Sequence, residues 1–375
     1  MKNKKLNEVA YVFFKLGCFA FGGPAAHIAM MEEEIVEKRK WMTRDYFLDL
    51  IGTTNLIPGP NSTEMTMHCG YERAGKKGLF VAGVAFILPA TIITSILAYL
   101  YVKYGELPEV LPFIYGIKPA VLAIIASAIL KLGKKATKST ELAVLGIIVL
   151  LSCLLGLNEV VALLAAGVFG MSYFYLKSKR QDTINISPLV TLLGLHSLIS
   201  NESTLKIFLI FLKVGAILYG SGYVLFAYLD AELVSNGLMS RSELIDAIAI
   251  GQFTPGPVLS TSTFIGYQLS GFTGAIVATI GIFLPSFLFV LILNPFVPKM
   301  RKSKMLGYFL DSVNIAAVAV MLAVLIIMAK ETLLNWSTIL IAIVSALLTF
   351  KAKISPVWII LIGASIGFIL VSISK

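Results

Sequence analysis

The sequence is poor in charge. Asp, Glu, Lys and Arg make up 14% of its 375 residues, where a soluble domain carries roughly a quarter. It is also poor in cysteine and histidine, with three of each. Cys18, Cys69 and Cys153 stand far apart in apolar settings, which excludes a disulfide framework or a cysteine-based zinc site. No His-Glu-x-x-His pattern occurs, so zinc catalysis has no motif and no metal or cofactor is expected. What fills the chain instead is apolar: 57% of residues are hydrophobic and the mean hydropathy is +0.87. Long apolar stretches from end to end predict an all-α polytopic membrane protein. The formal charge of +10 does not point to nucleic acid, because Lys and Arg form short clusters between apolar segments, as in cytoplasmic loops. The start (Lys2, Lys4 and Lys5, then an apolar run) has the outline of a signal peptide. No small-residue cleavage site follows, so it is expected to stay, with the N-terminus cytoplasmic.

One stretch organises the rest. Asn55-Leu56-Ile57-Pro58-Gly59-Pro60-Asn61-Ser62-Thr63-Glu64 has an echo at Gln252-Phe253-Thr254-Pro255-Gly256-Pro257-Val258-Leu259-Ser260-Thr261. Proline removes a backbone donor and disfavours helix in the residue before it. In lipid such a break survives only where protein or a polar cavity re-satisfies the backbone. A proline just before a helical run also suits the first turn of a new helix, where N–H groups lack helical partners. Each copy is therefore expected to be a broken helix with an anion-attracting start.

In chain order, residues 8–31 are apolar but broken at Gly22-Gly23-Pro24, and a charged strip runs from Glu32 to Arg44. Residues 46–70 hold the first Pro-Gly-Pro. Candidate spanning helices follow at about 78–102, 112–131, 141–156, 159–176 and 186–200. The second half repeats the plan at 205–229, 244–269, 274–297, 311–330, 335–350 and 355–373. Matched residues make the repeat visible: Lys15 with Lys213, Met42-Thr43-Arg44 with Met239-Ser240-Arg241, Asp49 with Asp246, and Pro89 with Pro285. Two transporter repeats are expected, 1–180 and 204–375, joined by a linker at 181–203 that contains an unmatched crossing helix. The first-half loops at 38–44 and 73–77 are basic, whereas their partners at 230–243 and 270–274 are acidic or neutral. The bias reverses at 103–111 against 299–304. By the positive-inside rule the halves then lie in opposite senses, with both broken segments of each half as re-entrant hairpins. Inverted repeats with discontinuous helices are the plan of secondary transporters, which hold substrate at the repeat interface.

Several residues could carry chemistry. Asn61, Ser62 and Thr63, after Gly59, offer amide, hydroxyl and backbone donors where the helix dipole favours negative charge. Ser260 and Thr261, after Gly256, offer the same from the other half. The plain alternative is a kink whose hydroxyls merely cap the helix. Lys118, opposite Asn314 in the repeat, is a candidate anion partner within an apolar segment; for Lys15 a snorkelling role is the competing reading. Glu64 and His68, four residues apart, could form a proton-handling pair or simply line a wet vestibule. His27 and Glu32-Glu33-Glu34 read as a relay or as a solvated helix end. Asp49 and Asp246 are expected to pair with Arg44 and Arg241.

Phe21-Gly22-Gly23-Pro24-Ala25-Ala26-His27-Ile28, Pro58-Gly59-Pro60-Asn61-Ser62-Thr63-Glu64 and the Gln252–Pro257 echo resemble the chromate ion transporter family, in its long two-domain form, over nearly the whole chain. The resemblance implies an all-helical inner-membrane protein that exports chromate, with sulfate as a related or competing anion. Gly22 and Gly23 then join Gly59 and Gly256 in the candidate substrate site. The second half departs from the motif, with Gly220-Ser221-Gly222 for Gly-Gly-Pro and Val258-Leu259 for Asn61-Ser62, so unequal half-sites are expected. Coupling to a proton or counter-anion, and a homodimer, stay open. A passive oxyanion channel is the alternative reading, and an intramembrane enzyme a distant one, for want of a nucleophile with an oriented base.

Overall fold

The computed structural model describes residues 2–20, 23–54, 57–179, 203–219, 224–293 and 304–373. Among these the secondary structure is helical, and six helices are long and apolar enough to cross a membrane. The expected helix at 186–200, the loop at Asn201-Glu202, the Gly220-Ser221-Gly222 stretch and the basic residues Lys299, Arg301 and Lys302 lie outside the described residues.

The first half opens with two hairpins. α1 (Lys2–Phe19) is followed by α2 (Pro24–Met31), which continues as a π-helical turn over Glu32–Lys38. Gly23, at φ 80°, and Pro24 at the first helical position set the break between them. α3 (Arg44–Thr54) runs to the Pro-Gly-Pro turn, and α4 (Asn61–Tyr104) leaves it. Both hairpins close at one end of the molecule. Glu8 of α1 accepts hydrogen bonds from Arg39 at 3.1 Å, Trp41 at 3.2 Å and Arg73 at 2.6 Å. Tyr46, at the start of α3, donates to Glu72 at 2.9 Å. The expected re-entrant geometry is therefore present: each segment enters and returns.

α4 is two helices. Ala74 and Gly75 leave the helical region, and the chain folds back there. Gly70 and Gly78, about 12 Å apart along a straight helix, meet backbone to backbone. A Cβ on either would run into the other's carbonyl oxygen. Only glycine lets the two arms approach this closely. After the second arm (residues 76–104) come α5 (Leu111–Ala136), α6 (Thr140–Leu154) and α7 (Glu159–Lys179).

The second half repeats each device. α8 (Ser203–Ile217) pairs with α9 (Leu225–Leu229) and its π turn Asp230–Val234. α10 (Arg241–Phe253) leads through the second Pro-Gly-Pro to α11 (Thr261–Leu293), which breaks at Ser270 and Gly271. α12 (Lys304–Thr332), α13 (Trp336–Phe350) and α14 (Pro356–Ile373) complete it. Lys15 bonds Glu34 at 3.1 Å and Lys213 bonds Glu232 at 2.7 Å. Gly266 meets Gly274 as Gly70 meets Gly78.

The arginine pairs differ from expectation. Arg44 bonds Glu32 at 2.8 Å, while Arg241 bonds Asp230 at 2.7 Å and also Glu331. Residues five apart on a helix do not share a face, so Arg241 cannot turn to Asp246; the acidic π turn just before it is nearer. Asp246 instead accepts from Tyr101 at 2.7 Å and faces Lys118 at 3.4 Å.

The halves are joined reciprocally. Gly59 donates its N–H to the Leu218 carbonyl at 2.6 Å, and Gly256 donates to the Ala20 carbonyl at 2.9 Å. Each Pro-Gly-Pro turn thus makes the same kind of contact, onto the end of the opening helix of the other half. Along the second arm of α4, Tyr101 stands about 38 Å beyond Lys76, and it meets Asp246, one turn past Arg241. The hairpin mouth of the second half thus lies far from that of the first. The outer faces carry exposed apolar side chains such as Ile96, Ile147, Ile148, Phe169, Ile280 and Ile343. Water penalises such a surface and lipid does not.

Candidate functional site

The broken ends of the hairpins meet in the interior, and each Pro-Gly-Pro turn holds its glycine at positive φ, 140° at Gly59 and 84° at Gly256. A side chain at Gly59 would also strike the Glu64 carboxylate and the Ser286 hydroxyl. Both turns lead into helix starts with the same bond: Thr63 N–H donates to Pro60 O at 2.8 Å, and Ser260 N–H to Pro257 O at 2.9 Å. No side chain caps either start.

The hydroxyls divide sharply. Thr261 donates to Val258 O at 2.8 Å, Ser262 to Leu259 O at 2.7 Å, and Thr263 pairs with Thr279 at 2.7 Å. The first two match the capping alternative, and the third ties the two arms of α11 together. Thr63 and Ser260 do neither. They are equivalent in the repeat, both are fully buried, and neither hydroxyl oxygen has a hydrogen-bond partner among the described residues. A buried polar group left unpaired costs about 1–3 kcal/mol, so the two matched hydroxyls are candidate donors to a ligand or a water.

Ser62 is held by a residue outside the main candidate set. Buried His27 places Nδ1 3.2 Å from Ser62 Oγ and Nε2 3.1 Å from the Ala20 carbonyl. A carbonyl only accepts, so Nε2 carries the proton; in the neutral ring Nδ1 then accepts from Ser62. That bond occupies the Ser62 hydroxyl proton. The solvated-end reading of His27 does not hold, because α2 turns inward onto α4 and buries the ring beside Phe86.

Glu64 and His68 are both buried. The Glu64 carboxyl turns back onto Gly59 and Ser286 and forms no ion pair among the described residues. Lys118 lies elsewhere: it bonds the Ser242 hydroxyl and Asp246 near the start of α10. Asn61 is the first residue of α4, and Gly22 lies outside the described residues. Gly23 and Gly256 share a small pocket with Gly251, Gln252, Thr254 and Val258, closed on one side by Ser355-Pro356-Val357. Among the described residues no cluster of three metal-ligating side chains occurs.

A family model described as chromate transporter matches the chain twice, over residues 7–171 and 205–368. A chromate transport protein of Cupriavidus metallidurans is 31% identical over 97% of this chain and 93% of its own length. A probable chromate transport protein of Synechococcus elongatus is 29% identical over 97% and 95%. An uncharacterized transporter of Bacillus subtilis, 27% identical, matches 48% of this chain with 93% of its own length, about one repeat. No solved structure matches the chain.

Proposed function

The chain belongs to the chromate transporter family, and from that premise we propose a secondary active transporter of small divalent oxyanions that exports chromate across the cell membrane. Sulfate, with the same charge and shape, is the related or competing anion. The observation that carries this reading is the matched pair of buried, unpartnered hydroxyls at Thr63 and Ser260, each on the start of a broken helix. Stripping water from a doubly charged ion requires hydrogen bonds in its place, and hydroxyls on uncapped helix starts supply them. Asn61, Ser62, Thr63, Ser260 and Thr261 form the substrate site, with the glycines Gly22, Gly23, Gly59 and Gly256 admitting close approach. Lys118, paired with Asp246, lies outside this set.

The two halves sit in opposite senses across the membrane, with the N-terminus cytoplasmic. The separation of the two hairpin mouths supports this, as does the reversed charge of matched loops. Glu64, with His68 one turn on, is the proton-coupling group. An ionised carboxylate would repel the anion, so proton and anion occupancy are linked there.

The test is uptake of labelled chromate and sulfate into proteoliposomes, with and without a pH gradient, for wild type, Ser62→Ala, Thr63→Ala and the double variant. Apparent affinity should fall in the variants and flux should follow the gradient in wild type. Unchanged affinity in all three would move the site elsewhere, and electrogenic flux indifferent to any gradient would favour a passive channel.

A further inference from the structure

The pocket beside the second Pro-Gly-Pro turn holds one polar side chain with no structural use. Gln252, the penultimate residue of α10, is 8% exposed, lines the pocket, and its Nε2 has no partner among the described residues. An amide that deep ordinarily finds an acceptor. The walls around it are largely backbone: Gly23 at the start of α2, Gly251, and Gly256 at positive φ. Three helix starts border the space, those of α2, of α14 at Pro356, and of the turn at Val258 that opens α11. No acidic side chain lines it. Its volume is about 60 Å³, room for more than one water, and it is open on one side.

The mouth adds a second electrostatic feature. Ser355 is exposed, and the loop leading to it carries exposed Lys351 and Lys353. Basic residues beside a narrow opening raise the local concentration of anions. Sequence supports the interior end independently: with the two Pro-Gly-Pro turns aligned, Asn55 stands opposite Gln252. A carboxamide therefore precedes the turn by three residues in both repeats, although the rest of the motif diverges.

We infer that this pocket is an oxyanion-binding station on the route to the Gly256–Ser260 turn, and that Gln252 is the residue which contacts the ion. The Nε2–H donates to an anion oxygen, and the glycine walls let further oxygens approach backbone and helix starts. Lys351 and Lys353 draw the ion to the mouth. The inference rests on the oxyanion transport reading and adds to it a contact residue on the Gly23 and Gly256 side of the site.

The experiment is equilibrium binding of labelled sulfate and chromate to the purified full-length protein, for wild type and for Gln252→Asn, Gln252→Leu and Gln252→Glu. Thermal melting accompanies each measurement to establish folding. Gln252→Leu should weaken both anions about tenfold, whereas Gln252→Asn, which keeps the donor, should lose less. Gln252→Glu should be the weakest at pH 7.5 and recover towards the leucine variant as the pH falls and the introduced carboxylate gains a proton. A merely structural role for Gln252 would not give that pH dependence. Lys351→Ser with Lys353→Ser should lower affinity at low salt and match wild type at high salt. Folded Gln252 variants that bind like wild type would overturn the inference and leave the transport reading standing. Wild-type protein that binds neither anion would overturn both.

Discussion

Thr63 and Ser260 are hydroxyls whose removal should leave the fold unharmed, since no group among the described residues bonds them. Thr63→Val is therefore expected to melt within about 0.5 kcal/mol of wild type while losing about tenfold in chromate affinity. Ser62 should behave differently, because His27 already holds its hydroxyl at 3.2 Å. The affinity lost in Ser62→Ala and in His27→Gln should be non-additive, as for residues in direct contact; a double variant that loses the sum of both would break the link between them. Glu64→Gln keeps the shape of the carboxyl and removes its ionisation. It should bind chromate yet transport it without response to a pH gradient, and a gradient response retained in that variant would place coupling elsewhere. Glu8 offers a pH test outside the candidate site. Burial pushes its carboxyl up, but hydrogen bonds from Arg73, Trp41 and Arg39, with the Arg73 charge, outweigh that and hold it below its ordinary value of 4.5. Its folded value is depressed, so its stabilisation is present above the ordinary carboxylate range and is lost as pH falls through the lowered value. Glu8→Gln should lower stability by about 1–2 kcal/mol at pH 7 and by much less near pH 3, read from melting curves at both.

At the scale of elements, the chain is built from hairpins that begin and end on one side. Their tips are stretches where helix cannot continue: Gly23-Pro24, Pro58-Gly59-Pro60 and Pro255-Gly256-Pro257. A tip buried in apolar surroundings needs backbone partners, and the tip of each half finds them in the other, Gly59 on Leu218 and Gly256 on Ala20. The hairpin arms in turn depend on glycine contacts. Gly78→Leu would place a side chain where the Gly70 backbone lies and should cost about 3 kcal/mol or more by overpacking. Loss of folded protein on size exclusion is the expected result. Gly75→Leu, whose added atoms meet nothing, should fold, at the smaller cost of a side chain at φ 68°.

For the whole molecule, two copies of one plan face each other around their own broken tips. Tyr101, Lys118 and Asp246 join the far end of α4 and the body of α5 to the mouth of the second half's hairpin. No equivalent ion pair joins the first half's mouth to α11 among the described residues, so the two ends are held unequally. Cysteines placed in loops 73–77 and 270–274 should be labelled from opposite sides of the membrane by an impermeant maleimide. Labelling from the same side would exclude opposed repeats.

Much of this was written in the linear sequence. Apolar length, the two Pro-Gly-Pro stretches and the matched Gly, Pro and Lys positions determine a helical membrane chain of two similar halves, because backbone satisfaction in lipid leaves few alternatives. The hairpin returns were legible too, since glycine and proline act locally. Partner choice was not. Arg241 was expected to reach Asp246, yet a π turn brings Asp230 closer; Lys118 was expected beside the helix starts and faces Asp246 instead. His27 looked like a surface residue, and only the fold of α2 onto α4 buries it against Ser62. Which hydroxyls remain unpaired was equally hidden: Thr63 and Thr261 look alike in sequence, but Thr261 donates to Val258 while Thr63 has no partner among the described residues. Spacing along the chain sets the face of a helix, whereas the group standing opposite that face is supplied by segments up to two hundred residues away.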